Sequence, residues 1–141
     1  MAAELLNGSF FETSPEARFL LRVSAVEALC PQADQTDAFR TVVKIVLVSI
    51  PKDAPPSDRD QIEQALGRLA KRQPVTSAYK SKIKQLLGDD KAEKFEDLYS
   101  LRSSFLHDGS GRGTLDGAAG AALEIGLELL LADIAQSSLK T

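Results

Sequence analysis

The sequence predicts an all-α protein, an antiparallel bundle of about five to six helices, and three observations carry that expectation. Apolar residues recur at spacings of three and four through most of the chain, the period of a helix with one buried face. Proline and glycine interrupt these stretches at helix-length intervals, where they stop one helix and allow the next to start. The one segment of strand-like composition, Val42 to Val48, finds no second such segment to pair with, and an isolated strand has no ladder.

Met1 to Thr13 is expected to be an N-terminal segment or linker, and residues 14–141 a single helical domain. Ser14-Pro15-Glu16 opens the first helix, with Ser as N-cap, Pro at the first helical position and an acid in the first turn. Phe19, Val23, Val26 and Cys30 give it an apolar stripe, and Pro31 closes it. The next opens at Thr36 or Asp37 and offers Phe39, Val42, Val43, Val46, Leu47 and Ile50 as one broad face. Ser57 is expected to cap a third, through Ile62, Leu66 and Leu69. A fourth runs from about Ser77 to a stop at Gly88. Asp90-Lys-Ala-Glu93 has the spacing of a capping box and opens a fifth, with Phe95, Leu98, Tyr99, Leu101, Phe105 and Leu106 on it. After the glycine-rich Gly109–Gly113, Thr114 starts the last. Gly117–Ala122 is rich in small residues that permit close approach, and Leu123, Leu127, Leu130, Leu131 and Ile134 are expected to complete the core.

Composition limits the chemistry. With 141 residues, 43% hydrophobic and 26% charged, the chain can bury roughly two-thirds of its unfolded surface without a disulfide or metal. Cys30 is the single cysteine and reads as a buried, inert thiol. One Cys and one His cannot build a tetrahedral zinc site without several carboxylates, so no metal or other cofactor is expected. Residues 1–11 lack the pattern of a signal peptide, and the longest apolar run is too short for a bilayer. A cytoplasmic protein without a membrane partner is the expectation. The net charge of −3 means that the surface as a whole does not attract polyanions; an RNA partner would require a local site.

His107 is the one side chain that titrates near neutral pH without special tuning. It follows Arg102 by five residues, which on an ideal helix of ~100° per residue sets the two about 140° apart. They converge in one chain only if the helix loosens near His107, where Asp108-Gly109 follows. A purely structural account is also open: His107 as a helix cap favoured by the dipole, and Arg102 paired with Glu96, Asp97 or Asp108.

The context of the pair favours a functional reading. Leu98-Tyr99-Ser100-Leu101-Arg102-Ser103, followed by His107 and a glycine, resembles the signature of the HEPN superfamily, particularly its Apea-like branch. That signature is an arginine separated from a histidine by four to six residues. Arg18-Phe-Leu-Leu-Arg-Val-Ser-Ala-Val-Glu27-Ala-Leu29 is similar to the opening helix of that branch. The resemblance spans Ser14 to about Ile134, resting between the two patches on helical character alone. It implies a helical bundle, usually a homodimer, and in active members a metal-independent endoribonuclease in which Arg102 and His107 are catalytic. Many active members carry Asn, Asp or His after the arginine; Ser103 departs from that pattern.

The residue inventory suits such chemistry. Cleavage by the RNA's own 2′-hydroxyl needs a base, an acid and a donor to the phosphate; histidine serves the first two and a bidentate arginine the third. One chain has one histidine, so if both acid and base are histidines a second protomer must supply the other. Ser103, Tyr99 and Arg112 are candidate substrate contacts, although a flexible connector explains Gly109–Gly113 and core packing explains Tyr99 equally well. Glu27 lies within the apolar stripe of its helix and needs a partner; Arg102, which it would orient, is the candidate. Lys71-Arg72 with Lys80, Lys82 and Lys84 forms a modest basic stretch that reads as RNA contacts or as a solvated face. The rival expectations are a non-catalytic RNA- or nucleotide-binding module and a dimerisation scaffold. An antitoxin or a fused sensor domain is left open as a further partner.

Overall fold

The computed structural model describes residues 1–139 and is all-helical. Among the described residues seven α-helices follow one another, with no strand: α1 Ala2–Phe11, α2 Pro15–Leu29, α3 Asp37–Val48, α4 Pro56–Lys71, α5 Val75–Leu87, α6 Asp89–Asp108 and α7 Leu115–Ser138, the last preceded by a single 3₁₀ turn at Arg112–Thr114. The expected bundle is present with one more helix than the sequence suggested. Its extra member is α1, in the stretch expected to be a linker.

The chain divides into two compact units. The first comprises Met1–Pro31 and Tyr79–Thr141, the second Gln32–Ala78. In the first unit α2 packs against α7, and α1 and α6 against α2. Phe19, Val23 and Val26 of α2, Ile83 of α5, Phe95 of α6, and Leu115, Ala122, Ile125 and Leu129 of α7 are fully buried. Ser14 caps α2 as its sequence implies: its Oγ accepts the Ala17 N–H at 3.2 Å, satisfying a donor that the helix itself leaves open. α1 docks through Leu6 and Ser9, both buried. Gly126 of α7 permits that approach, since a Cβ there would lie 3.2 Å from Leu6 Cδ2 and 3.5 Å from Val26 Cγ2.

Two expectations about α7 change. The glycines of its small-residue turns, Gly117 and Gly120, face open space, whereas Ala119 and Ala122 are buried. Leu127, Leu131 and Ile134, expected in the core, are exposed, and Ile125 and Leu129 take their place. The helix is apolar around most of its circumference, so periodicity alone does not select the face. Small side chains at 119 and 122 admit α2 and decide it.

In the second unit α3 packs on α4. Val42–Val48 is helical, not extended, and begins where Thr36 Oγ1 accepts the Phe39 N–H at 3.2 Å. Of its expected buried face only Val43 and the following Ile50 are buried; Phe39, Val42 and Val46 are exposed. α4 starts one residue before Ser57, with Pro55 as cap and Pro56 at its first position. α5 starts at Val75, directly after Pro74, and so begins in the second unit before continuing into the first. The capping box at Asp90–Glu93 does not form: α6 begins at Asp89 behind Gly88, whose φ of 96° lets one residue end α5 and admit the next helix.

Candidate functional site

α6 carries Tyr99, Arg102, Ser103 and His107 on five turns that run without interruption to Asp108. Gly109 ends it in the left-handed region, φ 73°, and its N–H donates to Phe105 O at 2.9 Å. The helix therefore does not loosen at His107. Arg102 and His107 keep the helical separation of about 140° around the axis and about 7.5 Å along it, and one chain does not bring them to a common point.

Arg102 is anchored from α2. Its Nη2 lies 3.7 Å from Glu27 Oε2, both side chains about three-quarters withdrawn from solvent. The guanidinium carbon sits 5.6 Å from the centre of the Tyr99 ring, within the range of a cation–π contact. Its Nε is buried and has no hydrogen-bond partner. Of the partners weighed for Arg102, the structure brings in Glu27. Glu96 instead pairs with Lys80 at 2.8 Å, and the Asp108 carboxylate accepts the Ser110 N–H at 2.8 Å. Hydrogen bonding by Ser110 holds Asp108 below its ordinary range, with a smaller contribution from His107.

Tyr99 is half-buried, and its ring lies 5.2 Å from that of Tyr79. Tyr79 in turn packs edge-on against Phe95 at 4.9 Å. Burial, reinforced by Glu96, pushes the Tyr79 hydroxyl up to about 12, so it stays protonated where its ring packs on Phe95 and Tyr99. His107 and Ser103 are exposed. His107 occupies the last turn of α6, where a cation is favoured by the carbonyls left open there.

Arg112 lies elsewhere. Its Nε is 3.9 Å from Glu16 Oε1 and its guanidinium 6.0 Å from the Phe105 ring. Glu16 and Glu27 are eleven residues apart on α2, about 16 Å along its axis, so Arg112 and Arg102 are held at opposite ends of that helix. A second arginine resembles Arg102: Arg18, whose Nε is also buried without a partner and whose Nη2 lies 3.4 Å from Asp116 Oδ1. Its sequence signal was slight, a position one turn before Arg22. Arg22 is the buried one, 7% exposed, and it donates to Ser9 Oγ and to Ala119 O, each at 3.0 Å.

The basic stretch splits in two. Lys80, Lys82 and Lys84 are neutralised by Glu96, Asp133 and Asp89; among the described residues Lys71 and Arg72 pair with no carboxylate. Cys30 is buried, and burial raises its thiol to about 11, which suits an inert packing role. Among the described residues no three or more His, Cys, Asp or Glu side chains gather where they could hold a metal, and no helix is long and apolar enough to cross a membrane. No known protein family, characterised protein or solved structure matches the chain.

Proposed function

We propose that the chain is a HEPN-type domain that cleaves RNA, with Arg102 stabilising the scissile phosphate and His107 exchanging protons with the 2′-hydroxyl and the leaving oxygen. The observation that carries this reading is the state of Arg102. Glu27 and Tyr99 orient its guanidinium, yet at 3.7 Å the carboxylate does not make a hydrogen bond, and Nε has no acceptor. An arginine has five N–H donors to satisfy. Here the guanidinium is held in place without a hydrogen bond to Glu27, and its terminal nitrogens, rather than the buried Nε, are the donors that a phosphate oxygen would meet.

The uninterrupted helix bears on how the site would be completed. His107 stands on another face of α6, so the arginine and histidine that meet one phosphate come from two copies related by a twofold axis. Glu27 then acts as a positioning residue rather than a catalytic one. The second reading, an RNA-binding module that does not cut, is favoured by one specific residue: Ser103 replaces the side chain that in active relatives of the signature would orient its neighbours.

The test is cleavage of labelled single-stranded RNA in EDTA. The expected products carry 2′,3′-cyclic or 3′-phosphate ends, and His107→Ala lowers the rate by about 10²–10⁴-fold with the helical circular dichroism unchanged. Glu27→Gln is expected to lower kcat more than it raises KM. Binding without cutting would replace the enzyme by the module, and neither binding nor cutting would overturn both. Growth inhibition on expression, relieved by Arg102→Ala, is the accompanying cellular readout.

A further inference from the structure

The second unit contains a cavity unrelated to Arg102 and His107. Where α4 ends, Arg72 turns extended, with φ −137° and ψ 153°, and the chain is stapled to the segment before α3. Gln73 N–H donates to Ala33 O at 2.9 Å, Gln35 N–H to Lys71 O at 3.4 Å, and Gln32 Nε2 to Gln73 O at 2.7 Å. Asp34 and Arg72 form an isolated antiparallel bridge. These bonds fix the walls of a cavity of ≈ 530 Å³ lined by Gln32, Arg68, Leu69, Lys71, Arg72, Gln73 and Pro74. That volume lies within the roughly 300–1,000 Å³ of small-molecule sites.

Its charge is unusual for this protein. Ten described basic side chains pair with a carboxylate: Arg18, Arg40, Arg59, Lys80, Lys82, Lys84, Lys91, Lys94, Arg102 and Arg112. Arg22 is buried and satisfied by Ser9 and Ala119. That leaves Lys44, Lys52, Arg68, Lys71 and Arg72 among the described residues, and three of these five surround one cavity. The dipole of α4 accounts for basic residues at its C-terminus. It does not account for a stapled cavity between them, whose lining holds three cations and no carboxylate although Asp34 bridges to Arg72 through the backbone beside it.

We propose that this cavity binds a nucleotide-sized phosphate ligand. Arg68, Lys71 and Arg72 engage the phosphate, as two forked donors and one point charge, while Leu69 and Pro74 give the planar base an apolar surface. Such a phosphate is available from a free nucleotide or from one residue of an RNA strand.

The experiment follows the backbone amides of the full chain by NMR while ADP, inorganic phosphate or a short single-stranded RNA is added. ADP is expected to shift the amides of residues 32–35 and 68–74 and to bind more tightly than inorganic phosphate. Combining Arg68→Gln, Lys71→Gln and Arg72→Gln is expected to weaken binding by about tenfold or more, and Arg68→Gln alone, on an exposed position of α4, to weaken it less. Shifts produced by RNA but not ADP, and lost in the triple variant, support the same phosphate site with RNA as its source. ADP binding no tighter than inorganic phosphate overturns the nucleotide assignment. No shift with any of the three, or shifts that survive the triple variant and Arg68→Gln, overturns the site. Arg102→Ala with His107→Ala must leave ADP binding unchanged; its loss would mean that the ligand sits at α6 instead. A protein that fails to cleave RNA but binds ADP in this cavity would separate this proposal from the preceding one.

Discussion

The two units differ in how they use their apolar residues. In the first, α2 and α7 enclose a core of aromatic and branched side chains, and α6 brings Phe95 and Leu98 to it. In the second, α3 holds the most apolar run in the sequence, yet of Val42–Val48 only Val43 is buried, and α4 buries no residue at all. Their charges differ in the same sense. The first unit neutralises its lysines against acids on neighbouring helices, whereas the second leaves three cations open around a cavity. Hydrophobicity in the sequence is thus a poor measure of burial. A helix face is buried when a neighbour of the right size reaches it, and in the first unit Ala119, Ala122 and Gly126 provide that access.

The strongest way to break this contrast is to truncate one residue on each side of it. Phe95→Ala removes a fully buried ring that packs on Tyr79 and is expected to cost about 3–5 kcal/mol. Val48→Ala, at a position 87% exposed, is expected to change stability by no more than about 0.5 kcal/mol. Urea unfolding of both variants checks the pair. Equal losses would mean that the exposed face of α3 is covered in solution.

The same contrast explains what the sequence disclosed. Two helix starts were legible because they are local, at Ser14 and Thr36, whereas Ser57 and the box at Asp90–Glu93 were displaced by Pro55-Pro56 and Gly88, which set the helix starts instead. The preference for helix over strand at Val42–Val48 was legible because a strand needs a partner. The pairing of Glu27 with Arg102 was legible too, since a charge inside an apolar stripe must be compensated. α1 was not legible, because the residues that hold it, Val26 and Gly126 against Leu6, are distant in sequence. The face of α7 was hidden by leucines on every side. The cavity in the second unit was hidden for another reason: it arises from backbone bonds between residues 32–35 and 71–73, and no side-chain period records those.

A smaller effect sharpens the account of the first unit by testing how α1 is held. Arg22 joins three helices through Ser9 Oγ and Ala119 O and lies 5.6 Å from the Phe10 ring. Burial, and then the nearby charge of Arg18, depresses its pKa below the usual arginine value. Arg22→Met keeps the volume and leaves the Ala119 carbonyl without this donor, at an expected cost of about 1–3 kcal/mol. Hydrogen exchange would report where the loss falls. The amides of Ala2–Phe11 are expected to exchange faster, with those of α6 unaffected; uniform acceleration would mean that Arg22 supports the whole core rather than the docking of α1.

The smallest effect concerns the surface charges, and its sign follows from the direction of two shifts. Lys91 bridges Glu124 and Glu128 between α6 and α7. Its hydrogen bond and charge hold Glu124 below the ordinary 4.5, and the same bonds hold Lys91 above 10.5. A carboxyl depressed in the folded state stabilises fully above its unfolded value, and that contribution is lost as pH falls through the folded value. An ammonium raised in the folded state stabilises fully below its unfolded value and loses its contribution as pH rises through the folded one. The bridge therefore contributes on a plateau between about 4.5 and 10.5. Glu124→Gln is expected to lower the thermal midpoint slightly at pH 7, and the difference should disappear as the pH falls below 4.5 and shrink in high salt. Arg68→Gln in the second unit offers the comparison. Having no carboxylate partner among the described residues, Arg68 should give a difference from the parent that stays flat across the same acid range, and a parallel acid-dependent loss would mean that Arg68 itself is paired with an acid in solution.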